Sequence, residues 1–568
     1  MSGPRPPIPS PSPSPSKVEV WEDWDIRVLI LCVIFAQLCL HVLGSLRKWK
    51  IRRRINVTIW LEKGPKPDVN ILRVLWAPTI LFYLGGPDTI TVSSLGEANT
   101  WVRHFIGLSI QGVRISNIMW VAWTDNELSL VALLMLFPGI IKYGEKLWTI
   151  WSRNEGHSKG FVRSDDLDQH TSNINRARPE SELVLRAYSY LQTLKPHNLK
   201  YFCDWEEQKK VVTSFNKWIE EKSAAKNAFK LMEIELGLMH DMLFNRIGTI
   251  FTKWGCISRF ISLSFLVCIL WMFCNDVNLV FIKYTDPSEW VDPLISLILL
   301  LGAIFLDVAG VAAQIFSDWA VIWASRHQSK LLNPVLHLQE HFISKSKRWS
   351  GFIGQCDFLT FRNLIKMAPR LKDLIINQLL EKWQSNAEQS EHLPTLAMRR
   401  GACTENQNDI VTWHIVTEIY YRLSKGPDKD NSEKVEATKT LSHYMMYLLL
   451  KCPSNLPFCN TSRPVKESCG YVKDILRNKG SKDKENEDRW KIMSNIWVDM
   501  LSYAASNCPI RQHARDVRNG GQFLTHVWLL LLHLGVIKRL DFNSSQNLIE
   551  PFLEKSSELY EWLLLLHV

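Results

Sequence analysis

PLISLILLLGAIFLDVAGVAAQIF, running from Pro293 to Phe316, carries one charged side chain, Asp307, in an otherwise apolar stretch. At 1.5 Å per residue, about 20 helical residues cross a hydrocarbon core of about 30 Å, so this stretch is long enough to span a bilayer. Upstream, Cys256–Phe273 is a second such run. The connection between the two holds Asp276, Asp286, Glu289 and Asp292 against Lys283, while the chain beyond Phe316 is basic, with Arg326, Lys330, Lys345, Lys347 and Arg348. Lysine and arginine concentrate on the cytosolic side of membrane proteins. The connection is therefore expected outside and residues 325–568 in the cytosol.

Towards the N-terminus the same logic extends. Ile26–Leu46 is apolar, acidic before it (Glu19, Glu22, Asp23, Asp25) and basic after it (Arg47, Lys48, Lys50, Arg52, Arg53, Arg54). That asymmetry puts the N-terminus outside or lumenal. Phe105–Trp123 and Leu128–Trp148, joined by Thr124-Asp125-Asn126-Glu127, read as a helical hairpin across the membrane. Ile71–Gly85 is too short to span, holds Arg73 and Pro78, and stops at Gly85-Gly86-Pro87-Asp88, so a re-entrant or interfacial segment is expected there. Five crossings result: about 26–46, 105–123, 128–148, and two within 256–316.

The fold class expected is all-α: a multi-pass transmembrane helical bundle with a helical cytosolic C-terminal domain. Residues 1–25 form a Pro/Ser-rich tail, with seven Pro and five Ser among the first sixteen residues, a composition that cannot bury apolar surface. Residues 149–255 read as a cytosolic helical loop, because Val211, Phe215, Trp218 and Ile219, then Phe229, Met232, Leu236 and Met239, recur at helical spacing. Beyond residue 325, helical runs are expected at 331–344, 358–382, 409–424, 440–450, 490–506, 522–534 and 548–566. Two hydrophilic linkers, Lys425–Lys439 and Lys473–Asp488, separate some of them.

Over 568 residues the mean hydropathy is only −0.07, an average over greasy blocks and charged ones. The net charge of +10 sits beside the apolar blocks, which suits anionic lipid headgroups and not nucleic acid. Trp21, Trp24, Trp120, Trp123, Trp148 and Trp254 lie at block ends, where interfacial tryptophans gather. The 12 cysteines include no C-x-x-C pair and read as reduced thiols.

Several stretches, taken in order, resemble a known family. They are VLWAPTILFYLGGPDTIT (Val74–Thr91), LMLFPGIIKYGEKLW (Leu134–Trp148) and FKLMEIELGLMHDMLF (Phe229–Phe244), followed by VTWHIVTEIYY (Val411–Tyr421) and LSHYMMYLLLKCP (Leu441–Pro453). IWVDMLSYAASNC (Ile496–Cys508) and HARDVRNGGQFLTHVWLLLLHLG (His513–Gly535) complete the set. Together they resemble a large plant membrane family known as domain of unknown function 4220, with its C-terminal companion, domain of unknown function 594. The resemblance implies membrane residence in a plant and no particular activity.

Candidate sites are few. Arg114 and Asp307 lie inside expected spans. A charge at mid-membrane costs roughly 2.5–3.5 kcal/mol or more, so an Arg114–Asp307 ion pair is expected. His414 and Glu418 stand one helical turn apart, and His526 and His533 share a face. These four have ligand-type side chains, although core histidines satisfied by hydrogen bonds are the stronger reading. Gly85, Gly86, Pro87 and Asp88 form a helix-ending motif or, less favoured, an anion nest. Asn56, Asn460 and Asn543 sit in glycosylation patterns on the cytosolic side and are expected to be unused.

No phosphate-binding loop, dinucleotide fingerprint, H-E-x-x-H, G-x-S-x-G or kinase H-R-D motif occurs. The expectation is a non-enzymatic, membrane-anchored scaffold or interaction protein of the plasma membrane or an endomembrane. Its partners are the lipid bilayer and a protein bound through the cytosolic domain, without cofactor or nucleic acid. The alternative is a transporter or channel component with polar residues inside the spans. An enzyme built around His414 and Glu418 ranks third.

Overall fold

A computed structural model describes residues 27–28, 30–39, 74–86, 100–121, 123, 127–154, 179–194, 205–222, 225–246, 253–283, 291–327, 352–356, 365–367, 369–387, 407–423, 429–456, 484–518 and 522–537. The N-terminal tail, Pro87 and Asp88, the three glycosylation patterns and the runs 331–344 and 548–566 lie outside them. What is described is helical, apart from one short antiparallel pair of strands, Phe352–Ile353 (β1) and Ile365–Lys366 (β2). The chain divides into two compact units.

The first unit takes residues 1–46, 53–155 and 244–315. Its helices are α1 (Ile30–Cys39), α2 (Trp76–Leu84), α3 (Thr100–Val121), α4 (Glu127–Asn154), α8 (Lys253–Lys283) and α9 (Val291–Ile315). Helix α4 is central: α2, α3 and α8 pack on it, and α9 packs on α8 and α2. Two stretches, Trp254–Asn275 and Val291–Ile315, are long and apolar enough to cross a membrane.

Helix α2 is a short piece held in the bundle by its polar tips. The Trp76 indole donates to Ser296 Oγ at 2.8 Å, and the Tyr83 hydroxyl donates to the Leu299 carbonyl at 2.8 Å. Gly302 makes room for Tyr83, since a Cβ there would stand 2.6 Å from its hydroxyl. The helix ends at Gly86, whose φ of 72° is a left-handed conformation that glycine adopts without steric cost.

Unit one has an apolar core but, inside-out relative to a water-soluble protein, also inters charged side chains and exposes large apolar ones. Lys142, Arg259, Asp292 and Asp307 are buried. Phe105, Trp120, Phe137, Trp254, Phe260, Trp271 and Phe305 are exposed, Trp120 by 85% and Phe260 by 76%. Soluble monomers rarely expose a contiguous apolar surface of this extent.

The second unit joins residues 156–243 to residues 316–568. Its first helices are α5 (Pro179–Leu194), α6 (Trp205–Lys222) and α7 (Ala225–Phe244). After α10 (Asp318–His327) and the strand pair come α11 (Pro369–Ala387), α12 (Gln407–Leu423) and α13 (Lys429–Lys451). The last three are α14 (Lys484–Asn507), α15 (Ile510–Arg518) and α16 (Phe523–His533).

Helix α16 is buried along its whole length, as a helix apolar on every face must be. The Tyr444 hydroxyl accepts the Leu524 N–H at 2.8 Å, which satisfies one of the orphan donors of its first turn. The Gln208 amide of α6 donates to the Ile537 carbonyl at 2.8 Å just past the other end. The exposed large apolar residues described in this unit are Phe316, Phe352, Ile415, Ile419, Leu450 and Ile492.

Three elements differ from the sequence reading. The expected linker Lys425–Lys439 is largely helical as the first half of α13, because Val435, Ala437 and Thr438 give its charged sequence a buried face. Part of the second linker likewise joins α14 from Lys484. Within the expected run 358–382, Ile365–Lys366 is strand β2 and a helix runs from Pro369, a residue suited to a first helical position.

Candidate functional site

A cluster of buried charges joins three helices of the first unit. Lys142 and Glu145, three apart on α4, share a helix face. Lys142 Nζ donates to Asp307 Oδ1 of α9 at 2.8 Å. Arg259 of α8 reaches the same oxygen at 2.9 Å and Glu145 Oε2 at 2.9 Å with its other terminal nitrogen. The Ser258 hydroxyl donates to Glu145 Oε1 at 2.7 Å. The guanidinium fork of Arg259 thus bridges carboxylates from α4 and α9, a geometry that an ammonium group does not reproduce. Asp307 Oδ2 and Ser262 Oγ are buried there without a hydrogen-bond partner.

A third cation faces a helix end. Arg246, fully buried, donates to the carbonyls of Gly85 and Lys142, the latter at 3.3 Å. Lys146 Nζ lies 3.3 Å from the Leu84 carbonyl. Both cations address the C-terminal end of α2, where the helix dipole is negative and the last carbonyls lack helical partners. Gly85 and Gly86 of the expected motif are therefore part of a cation-capped helix end.

The cluster lies towards one end of the bundle. Arg259 is about 9 Å along α8 from its start and Asp307 about 12 Å before the end of α9, at 1.5 Å per residue. The cluster can neutralise and fix three helices, or move a proton or ion only if water reaches it.

Asp307 is paired, but its partners are Lys142 and Arg259, and the expected Arg114 is not among them. Arg114 is exposed on α3, whose packed side runs through Ile115 and Met119. Sequence reasoning singled out neither Lys142 nor Arg259 as a partner of Asp307. Their signal was position: each is a charge inside an apolar run.

The four ligand-type residues do not converge. His414 Nδ1 pairs with Ser442 Oγ at 2.9 Å, and Glu418 pairs with His443 Nε2 at 2.6 Å. His526 Nδ1 faces the Gln522 carbonyl at 3.3 Å. His533 Nδ1 donates to the Leu529 carbonyl at 2.8 Å, and its Nε2 lies 3.1 Å from Glu235 Oε2 with both side chains fully buried. Among the described residues no group of three or more His, Cys, Asp or Glu is placed to hold a metal. Each of the three imidazoles makes a local contact through Nδ1, while His533 Nε2 faces Glu235 without hydrogen-bond geometry.

No curated protein and no solved structure matches the chain. A family model described as a domain of unknown function, DUF4220, matches residues 33–361, and a second, described as a protein of unknown function, DUF594, matches residues 482–536. The chain belongs to the DUF4220 family and carries the DUF594 region near its C-terminal end.

Proposed function

We propose that this protein is a non-enzymatic, membrane-anchored scaffold: the first unit is a multi-pass bundle in the bilayer, and the second is a cytosolic helical body that binds another protein. The observation that carries the reading is the inside-out first unit, with Lys142, Arg259 and Asp307 interred and an aromatic and aliphatic exterior. Charges in membrane proteins face the bundle interior and pair with one another. Topology is supported by the second unit. Residues 156–243 and 316–568 share one core, so they lie on one side of any bilayer. The chain between them then crosses an even number of times, as an α8–α9 hairpin does.

Protease treatment of sealed, right-side-out vesicles tests this reading. The second unit should survive intact until the vesicles are opened. Its digestion from outside would refute the orientation, and release of the chain by alkaline carbonate would refute insertion.

A second reading, a transporter or channel component, is favoured by one observation: Asp307 Oδ2 and Ser262 Oγ, both buried, lack hydrogen-bond partners beside the charge cluster. Ion flux in reconstituted vesicles that disappears in Asp307→Ala would establish it in place of the scaffold.

A further inference from the structure

The outward faces of the bundle helices are unlike one another. On α9 the exposed side chains are Leu294, Ile298, Leu301, Phe305, Val308, Ala313 and Ile315, all apolar. On α3, Ser109, Arg114, Ser116 and Asn117 are exposed among Ile106, Ile110, Val113, Trp120 and Val121. Acyl chains suit the first face and not the second.

Arg114 also lies deep. Tyr143 OH stands 3.4 Å from the His104 carbonyl, which puts that end of α3 level with the charge cluster on α4. Arg114 is about 15 Å further along α3 and about 10 Å before its last residue, Val121. An arginine facing lipid at that depth costs roughly 2.5–3.5 kcal/mol or more. Ile110, Arg114, Asn117 and Val121 recur at intervals of four, three and four residues, the spacing of a seam between packed helices.

We propose that this face of α3 packs in the membrane against a helix of a different polypeptide, one bearing an Asp or Glu that pairs with Arg114 while Asn117 hydrogen-bonds beside it. A second copy of this chain is the poorer occupant. Two-fold pairing along α3 sets Arg114 near its own copy, and the outward faces described for α3, α8 and α9 carry no carboxylate to meet it. The inference rests on the bilayer reading of the first unit and adds the chemistry of a partner.

The test is photo-crosslinking of the full chain in native membranes, with a photoreactive residue at Asn117 or, separately, at Phe305. The Asn117 probe should give one discrete protein adduct whose crosslinked peptide is an apolar segment containing Asp or Glu, and the Phe305 probe should give lipid adducts only. Arg114→Leu should cut the protein adduct at least tenfold, Arg114→Lys should retain most of it, and Arg114→Glu should be rescued when the partner's carboxylate is changed to Arg. Lipid adducts from both positions, an adduct with a second copy or within the chain, or indifference to Arg114 would overturn the partner and leave the bilayer reading standing. Quenching by water at both positions would fail the bilayer reading itself, and the partner with it.

Discussion

Lys142 on α4 and Asp307 on α9 meet at 2.8 Å, with side chains 6% and 1% exposed, inside a unit whose exterior is aromatic and aliphatic. Arg259 closes the arrangement by contacting Asp307 and Glu145 together. Three helices, α4, α8 and α9, are thus pinned together by charge.

Asp307→Ala leaves two buried cations short of a counter-ion. Removing one partner of a buried pair costs about 3–5 kcal/mol, whereas replacing the whole pair by apolar groups of similar volume is often neutral. The unfolding midpoint in detergent micelles should therefore fall sharply for Asp307→Ala. It should fall much less for Lys142→Met with Asp307→Leu, because Arg259 keeps Glu145.

Gly302 lies under the Tyr83 hydroxyl. Gly302→Ala forces a contact that costs about 1–3 kcal/mol, the usual range for overpacking. Combined with Tyr83→Phe, which deletes the obstructing oxygen, the same change should cost less, and a double-mutant cycle on the detergent-solubilised chain measures the difference.

Glu235 and His533 are 298 positions apart by subtraction of their numbers, and both are 0% exposed. The Tyr190 and Phe215 rings stand 5.3 and 5.1 Å from the imidazole. Glu235→Ala should destabilise the second unit and speed hydrogen exchange in both α7 and α16. Acceleration in α7 alone would contradict the idea that this pair fastens the early segment to the late one.

The second unit should have a stability optimum near pH 6.5. Burial lowers His513 and His526 to about 4 and raises Asp516 to about 7. Between about 4 and 6.5 the unfolded chain binds two protons on the histidines that the folded chain refuses, while folded Asp516 keeps one that the unfolded chain releases. The net uptake of one proton on unfolding makes stability rise with pH by up to about 1.4 kcal/mol per unit. Above 6.5 only Asp516 still differs, and stability falls as pH passes through 7. In Asp516→Asn that descent should vanish, which denaturant midpoints followed by tryptophan fluorescence from pH 4.5 to 8 will show.

The long apolar helices α8 and α9 were legible because an uninterrupted apolar run of that length reads as helix on composition alone. The need to pair Asp307 was legible too, since the cost of a buried charge is a local fact. Its partner was not, because only the packing of α4 against α8 and α9 decides between Arg114, Lys142 and Arg259. The same holds for Glu235 and His533, which join a segment read as a loop to the far end of the chain. The first half of helix α13 was missed for another reason: one narrow buried stripe hides in a run of Lys, Glu and Asp.

The central claim is that the first unit, and not the second, faces lipid. Carbene labelling of intact membranes with a hydrophobic photoreagent, mapped by peptide, puts this to the test because α16 is as greasy as α9 yet wholly buried in protein. Label should fall on the exposed side chains of α8 and α9, among them Phe260, Trp271, Leu301 and Phe305, and spare Phe523–His533. Label on α16, or none on α8 and α9, would contradict the account.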